Sequence, residues 1–431
     1  MLKAMMNMVT GLKRNEFIRI SSWSAFATLF RMVAGFVTIK IVSRLIGPAG
    51  IALTGQFING TTIISILGTG CIGQGVTKYI AEYGGDKEKQ QNIITNALRI
   101  TLVCSFVMTV SVLLFYRQIG QYIFKSSVYN NVVLFFGASL LFFSLNLILN
   151  NIINGFKGFK KYVLINISGS IISLFVTIPV VYFFGVTGAL ISYILSQTLI
   201  IFVTLYFVRK EYWFSLLKSF GKTNSKTLKL LSGFTLMTFI SSLFGPYVQL
   251  FVRGYIINHL SVTDAGIWEG INRLSAMYLN LITTSISIYY LPKLSEIKDE
   301  QLLRKEIIKT CKIVLPPLAL FCLVLFLCRD IVIPLVFTKE FLPMRELFAV
   351  QLFGDFVKIA SWLMAFVFWA KAMTRTFIIT EIVFSLTLVG FSYWSIRQFG
   401  FEGTVYGYAI NYCLYFVTVL VILRKLLFYA K

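Results

Sequence analysis

The chain has 431 residues, 57% of them hydrophobic and 16% aromatic, with only 13% charged. A soluble domain carries roughly a quarter of its residues as charges, so a mean hydropathy of +0.79 excludes an ordinary water-soluble protein. The formal net charge of +23 would suit nucleic acid, but the distribution of that charge along the chain argues otherwise.

In chain order, apolar blocks occupy residues 17–45, 50–77, 92–116, 130–154, 162–183, 187–208, 230–257, 266–291, 310–328, 346–370, 376–395 and 403–423. A bilayer core takes about 20 helical residues per crossing. The blocks therefore predict an all-α polytopic membrane protein of about twelve transmembrane helices. With the N-terminus inside, alternate loops hold 27 of the 40 basic residues and the opposite loops hold 7, leaving Arg31, Lys40, Arg99, Arg253, Arg273 and Lys358 inside spans. This is the positive-inside bias. It puts both termini in the cytoplasm and assigns most of the charge to topology and to attraction for anionic membrane lipids, with no role for nucleic acid. The basic N-terminal segment, without a small-residue cleavage site, reads as a retained first helix and not a signal peptide.

The glycines of "TTIISILGTGCIGQGVTKYIAEY" (61–83) fall in the second block, where Gly68, Gly70 and Gly73 spell G-x-G-x-x-G. That fingerprint holds a dinucleotide only in a βαβ unit exposed to water. In a membrane helix, glycines instead allow close helix contact or a bend. Gly68, Gly70 and Gly73, with Lys78 at the cytoplasmic end, are therefore expected to form a gate or hinge. The "GKT" at 221–223 lacks the glycine five positions earlier that a P-loop needs. Six cysteines lie in apolar blocks without C-x-x-C spacing, and His259 is the single histidine, so no metal or cofactor is expected.

The inner loop from Arg209 divides the chain into residues 1–215 and 216–431, each with six spans. "GPAGI" (47–51) opens the second span and "TDAGI" (263–267) the eighth, and from each a similar length of chain leads to a Lys and then a Glu. Such a repeat, with the same orientation in both halves, predicts two six-helix bundles related by a pseudo-two-fold axis along the membrane normal, with a site in the cleft between them.

Charges deep in a membrane are costly and mark function. Glu269 and Arg273, four apart, share a helix face and can pair. Asp355 and Lys358, three apart, can neutralise each other in the same way, and Glu381 is a further deep acid for proton or cation coupling. Arg31, Lys40, Arg253, Arg273 and Lys358 outnumber Glu269, Asp355 and Glu381, so a cleft lined by them would be cationic. That suits a phosphate-bearing substrate, for which guanidinium forks are well matched.

"GPAGIALTGQF", "GVTKYIAEY", "FTLMTFISS", "GIWEGINRLSAMYLNLITTSISIYYLPKLSE", "FTKEFLPMRELFAVQLFGDFVKIASWL" and "AKAMTRTF" resemble the corresponding segments of bacterial lipid-linked oligosaccharide flippases of the O-antigen and enterobacterial common antigen type. The resemblance implies the multidrug/oligosaccharidyl-lipid/polysaccharide exporter superfamily, with a V-shaped central cavity between two bundles. It further implies translocation of an undecaprenyl-diphosphate-linked glycan across the bacterial inner membrane. The diphosphate would meet cavity Arg and Lys, and a polysaccharide polymerase and chain-length regulator would be partners of a monomeric, ATP-independent transporter. Within the matched segments Lys78, Asp355 and Lys358 fall at similarly charged positions; Arg273 does not. A cation-coupled drug exporter would need a more acidic cavity, and a non-transporting scaffold would have little use for the deep charges. The topology predicts that a fluorescent protein fused after Lys431 folds and fluoresces, whereas alkaline phosphatase fused there is inactive; the reverse pattern refutes it.

Overall fold

The computed structural model describes residues 2–215, 225–371 and 373–428. Side chains are described from Met32 onward, apart from Phe159, Phe428 and stretches within 215–241 and 285–292. Arg31 and the 221–223 stretch thus lie outside the described side chains. The helices are α1 (Leu2–Gly68), α2 (Gly73–Glu82), α3 (Lys87–Leu114), α4 (Tyr116–Phe124), α5 (Asn130–Gly155), α6 (Phe159–Val208), α7 (Tyr212–Ser215) and α8 (Ser225–His259). They continue as α9 (Val262–Glu296), α10 (Glu300–Leu327), α11 (Arg329–Val336), α12 (Met344–Ala370), α13 (Thr374–Phe399), α14 (Gly403–Ile422) and α15 (Arg424–Phe428). No strand occurs among the described residues.

Two of these helices are pairs of legs joined at a glycine. α1 kinks at Gly47 (φ 63, ψ −172), directly before Pro48. Glycine takes the left-handed conformation without steric cost, and a proline is well placed as the first residue of the leg that follows. α6 turns at Gly185 (φ 55, ψ −131), in the "FFGVTG" where the apolar blocks 162–183 and 187–208 are divided. Counting legs, the described helices supply the twelve long elements that the apolar blocks predict.

The second block differs from the single span 50–77 read from sequence. α1 stops at Gly68, Gly70 and Cys71 adopt positive φ (67 and 57), and α2 starts anew at Gly73. The Gly70 N–H still donates to Leu67 O at 2.9 Å, so the break keeps its backbone partly paired, as lipid demands. Hydropathy could not reveal the interruption, because the break itself, from Thr69 to Ile72, is no more polar than the helix that precedes it.

The chain resolves into two compact units. The first is Met1–Thr38, Ile64–Tyr122 and Ser126–Phe239; the second is Ile39–Ile63, Ile123–Lys125 and Ile240–Lys431. In the first, α2, α3, α5 and α6 bury Val76, Ile80, Ile94, Ala97, Ile148 and Ile152. Lipid gives helices no hydrophobic reason to associate, so close contacts and buried polar pairs carry more of the work. A Cβ on Gly73 would lie 2.6 Å from Asn151 Nδ2, Thr77 donates to Asn151 O at 3.0 Å, and Thr204 donates to Asn146 Oδ1 at 2.7 Å. The lipid-facing side of α3 presents Val103, Phe106 and Leu114, all well exposed. At the polar end of α3, Asp86 accepts from Lys89 N–H at 3.0 Å. That bond, with the adjacent Lys89 ammonium, holds the Asp86 carboxyl below the usual carboxylate range. The cap therefore persists at neutral pH and is lost as pH falls through that lowered value.

In the second unit, α12 packs against α9, α10 and α14, and α13 against α14. The two repeated turns meet there, for a Cβ on Gly266 of "TDAGI" would overlap the Pro48 carbonyl of "GPAGI". Gly70→Ala should cost about 1–2 kcal/mol, the penalty of left-handed backbone for an L-residue, seen as a lower midpoint in detergent thermal unfolding; an unchanged midpoint would show the break to be tolerant of a side chain.

Candidate functional site

The deep charges of the second unit form two clusters. In the first, the Arg253 guanidinium on α8 pairs with the Glu269 carboxylate on α9, and Glu269 Oε1 also accepts from Arg273 Nε at 2.7 Å. The pairing of Glu269 with Arg273 follows from their helical spacing; that with Arg253 needs the fold. Arg253 is only 1% exposed. Its Nη1 donates to Gln56 Oε1 at 3.1 Å, and the Asn59 side-chain oxygen, in the orientation that satisfies both groups, accepts from Nη1 and Nη2 at 3.1 and 3.2 Å. Arg273 Nη2 reaches Thr54 Oγ1 at 3.4 Å. The arrangement depends on Gly55, where a Cβ would sit 2.7 Å from the Glu269 carboxylate and 3.0 Å from the Arg253 guanidinium carbon. Two guanidinium groups on one carboxylate, with amide oxygens taking further donors, make a compact internal ion cluster. Arg253 is thus sealed among protein groups, and Arg273 keeps partial exposure.

The second cluster centres on Asp355 of α12, which is fully buried. Its carboxylate accepts from Ser275 at 2.6 Å, from Tyr408 at 2.6 Å, from Gln351 at 3.3 Å and from Tyr278. The direct pairing with Lys358 expected from their spacing is absent among the described ion pairs. Hydroxyl and amide donors take its place at Asp355, and the Lys358 ammonium lies 5.0 Å from the Tyr412 ring centroid and 5.5 Å from that of Tyr408. Cation–π contact at this range stabilises an ammonium in place of a carboxylate. Lys358 and Glu381 meet at a cavity of about 490 Å³ within the second unit, whose walls include Trp362, Tyr408, Tyr412 and Tyr415.

Lys40 lies apart from both clusters. Its ammonium donates to Pro334 O and Phe337 O at the end of α11, where terminal carbonyls lack helical partners and a cation is favoured. Lys78, half-exposed, lies 3.8 Å from Glu82. Gly68 packs on Ser144 and Gly73 on Asn151, while Gly70 supplies the left-handed turn. Sequence reasoning missed Gln56, Asn59, Ser275, Tyr278, Gln351 and the tyrosines of α14. The signals were present: Gln56 and Asn59 three apart in an apolar span, Gln351 four before Asp355, and Tyr408, Tyr412 and Tyr415 at the i, i+4, i+7 spacing of one helix face.

The model of the polysaccharide biosynthesis protein family matches residues 18–298, well over half of the chain. The chain belongs to that family. It is 29% identical over 398 residues to the Lipid III flippase of Escherichia coli strain K12, a match covering 92% of this chain and 96% of that protein, and equally to the Lipid III flippase of Shigella flexneri. Its fold is similar to that of a multidrug resistance MATE family transporter of the MOP superfamily in an inward-facing conformation (TM-score 0.75, 17% identity, 93% of this chain and 94% of that one). It is also similar to a MOP superfamily transporter from Pyrococcus furiosus (TM-score 0.69, 16% identity, 95% and 96% covered). The family is thus built on the fold of membrane transporters, and the chain is a multi-pass membrane protein of this all-α class.

Removing one partner of a buried ion pair strands the other charge, at a cost of roughly 3–5 kcal/mol. Glu269→Gln, which strands Arg253, should lower the thermal midpoint sharply, and Arg253→Ala should cost less because Arg273 still pairs with Glu269. The volume-matched double change Arg253→Met with Glu269→Leu, which leaves only the partly exposed Arg273 to rehydrate, should recover part of the Glu269→Gln loss. Additive losses in the double variant would refute the coupling.

Proposed function

We propose that this chain is a flippase that carries an undecaprenyl-diphosphate-linked oligosaccharide from the cytoplasmic to the periplasmic leaflet of the bacterial inner membrane, for assembly of surface polysaccharide. The observation that carries the reading is the nearly end-to-end similarity to proteins that bear the name Lipid III flippase, joined to a transporter fold. Both termini face the cytoplasm. Residues 1–215 and 216–431 rock against each other in alternating access, with the break at Gly68, Gly70 and Gly73, beside Lys78, as the hinge on the cytoplasmic side. The driving force comes from substrate or ion gradients and not from ATP; Asp355 and Glu381 are the acids for ion coupling. The transporter works as a monomer beside a polysaccharide polymerase and chain-length regulator.

The geometry sorts the cations proposed for the diphosphate. Lys358 lines a cavity and is the first choice. Arg273 is partly exposed and second; Arg31, whose side chain lies outside those described, stays in the set on its sequence position alone. Lys40 and Arg253 hold the helices that place the others, through the α11 carbonyls and the Glu269 cluster.

In proteoliposomes, a fluorescent polyprenyl-diphosphate saccharide should flip without ATP, and Lys358→Gln, reconstituted at equal level, should flip about tenfold more slowly, as loss of one charge-assisted contact implies. Flipping no faster than in protein-free vesicles refutes the function; undiminished flipping by Lys358→Gln refutes the site.

A further inference from the structure

The cavity of the second unit has a wall of a distinct kind. Tyr408, Tyr412 and Tyr415 project from one face of α14, and Trp362, one turn beyond Lys358 on α12, joins them. Tyr412 packs edge-on against Tyr408 (4.8 Å between centroids), and Tyr415 packs edge-on against Phe384 (4.9 Å). Tyr408 is further locked by its hydroxyl bond to Asp355 at 2.6 Å. Among these rings stand polar groups. Asn411 is buried, and its oxygen accepts from Thr387 at 2.7 Å, while its amide N–H groups make no hydrogen bond among the described residues. Gln249, Thr380, Glu381 and Ser385 are further polar residues of the wall. A volume near 490 Å³ lies within the range of small-ligand sites, about 300–1,000 Å³.

Three ligand classes fit poorly. A polyprenyl chain would strand Gln249, Asn411 and Glu381 against hydrocarbon, an unpaired-polar cost of a few kcal/mol for each group. A bare diphosphate calls for several cations, and among the described residues Lys358 is the one cation lining this cavity, opposed by the carboxylate of Glu381. An organic cation brought to these tyrosines would meet the like charge of the Lys358 ammonium, 5.0 Å from the Tyr412 ring centroid, a repulsion that a neutral ring does not suffer. Flat rings interspersed with amide and carboxylate groups suit a pyranose, which offers an apolar C–H face and a rim of hydroxyls.

We propose that this cavity is a saccharide subsite, in which Trp362, Tyr412 and Tyr415 stack on the sugar joined to the diphosphate, Asn411, Gln249 and Glu381 bind its hydroxyls, and Lys358 meets the adjoining phosphate. Tyr408 acts as a positioning residue, held by Asp355. The proposal rests on the flippase reading and adds to it where on this chain the sugar is bound.

The test uses the full chain in lipid nanodiscs and two probes, farnesyl diphosphate and the same lipid diphosphate bearing one N-acetylglucosamine. The wild-type protein should bind the sugar probe more tightly. Trp362→Leu and Tyr415→Leu should each weaken that probe about tenfold and leave farnesyl diphosphate within twofold, Tyr415→Phe should keep the preference, and Lys358→Gln should weaken both probes. A second measurement needs no variant: a diazirine-bearing sugar on the same lipid diphosphate should photolabel peptides containing 362 or 412–415. Equal wild-type affinity for the two probes, leucine variants that retain the preference or weaken both probes alike, or photolabel confined to other segments overturns the subsite and leaves the flippase reading standing. Tetraphenylphosphonium binding that is lost in the leucine variants, with sugar binding intact, reassigns the cavity to an organic cation. Wild-type protein that binds neither probe overturns the flippase reading and this proposal with it.

Discussion

A guanidinium buried inside a membrane protein must be neutralised and given acceptors, and the setting of Arg253 is the constraint on which the second unit depends. Desolvating one ion costs several kcal/mol even after relaxation. Glu269 supplies the counter-charge, and Gln56 and Asn59 supply acceptors. These groups come from three separate stretches: Ile39–Ile63, α8 and α9. Pairing the two terminal nitrogens of this arginine, whose Nε is left without a partner among the described residues, therefore pins the second leg of α1 to helices from the other half of the sequence. Gly55 and Gly266 let the backbones approach closely enough, since a Cβ on Gly55 would meet the ion cluster and one on Gly266 would meet Pro48.

The Asp355 cluster works on the same principle with different donors. Hydroxyls from α9 and α14 surround the carboxylate, so a charge that could have paired within α12 instead ties three helices together. Lys358 is thereby left to the tyrosine faces and the cavity. α9 takes part in both clusters, through Glu269 and Arg273 on one side and Ser275 and Tyr278 on the other, so the two clusters are mechanically linked by a single helix. Rocking of residues 1–215 against 216–431 would part Gln56 and Asn59 from Arg253, so that motion has to meet the cost of leaving guanidinium donors without these acceptors.

The sequence made much of this legible. Twelve apolar legs, the kink before Pro48 and the turn in "FFGVTG" follow from hydropathy and from where proline and glycine are tolerated. The Glu269–Arg273 pair follows from helical spacing. The glycines at 68, 70 and 73 marked a bend, but the full interruption of the 50–77 span there did not follow, because a positive φ at Gly70 and Cys71 leaves no mark in apolarity. Nor did the fate of Lys40, whose partners are carbonyls nearly 300 positions away.

By itself, then, the chain's amino-acid order determined the class of protein and which charges fall inside apolar spans, since bilayer thickness acts on composition and local spacing alone. The tertiary structure decided which charge meets which. Arg253 rather than solvent neutralises Glu269, tyrosines rather than Lys358 satisfy Asp355, and Lys358 faces a cavity with Glu381. Those choices rest on contacts between residues 16 to 77 positions apart on different helices, and no local period in a sequence encodes a pairing of that kind.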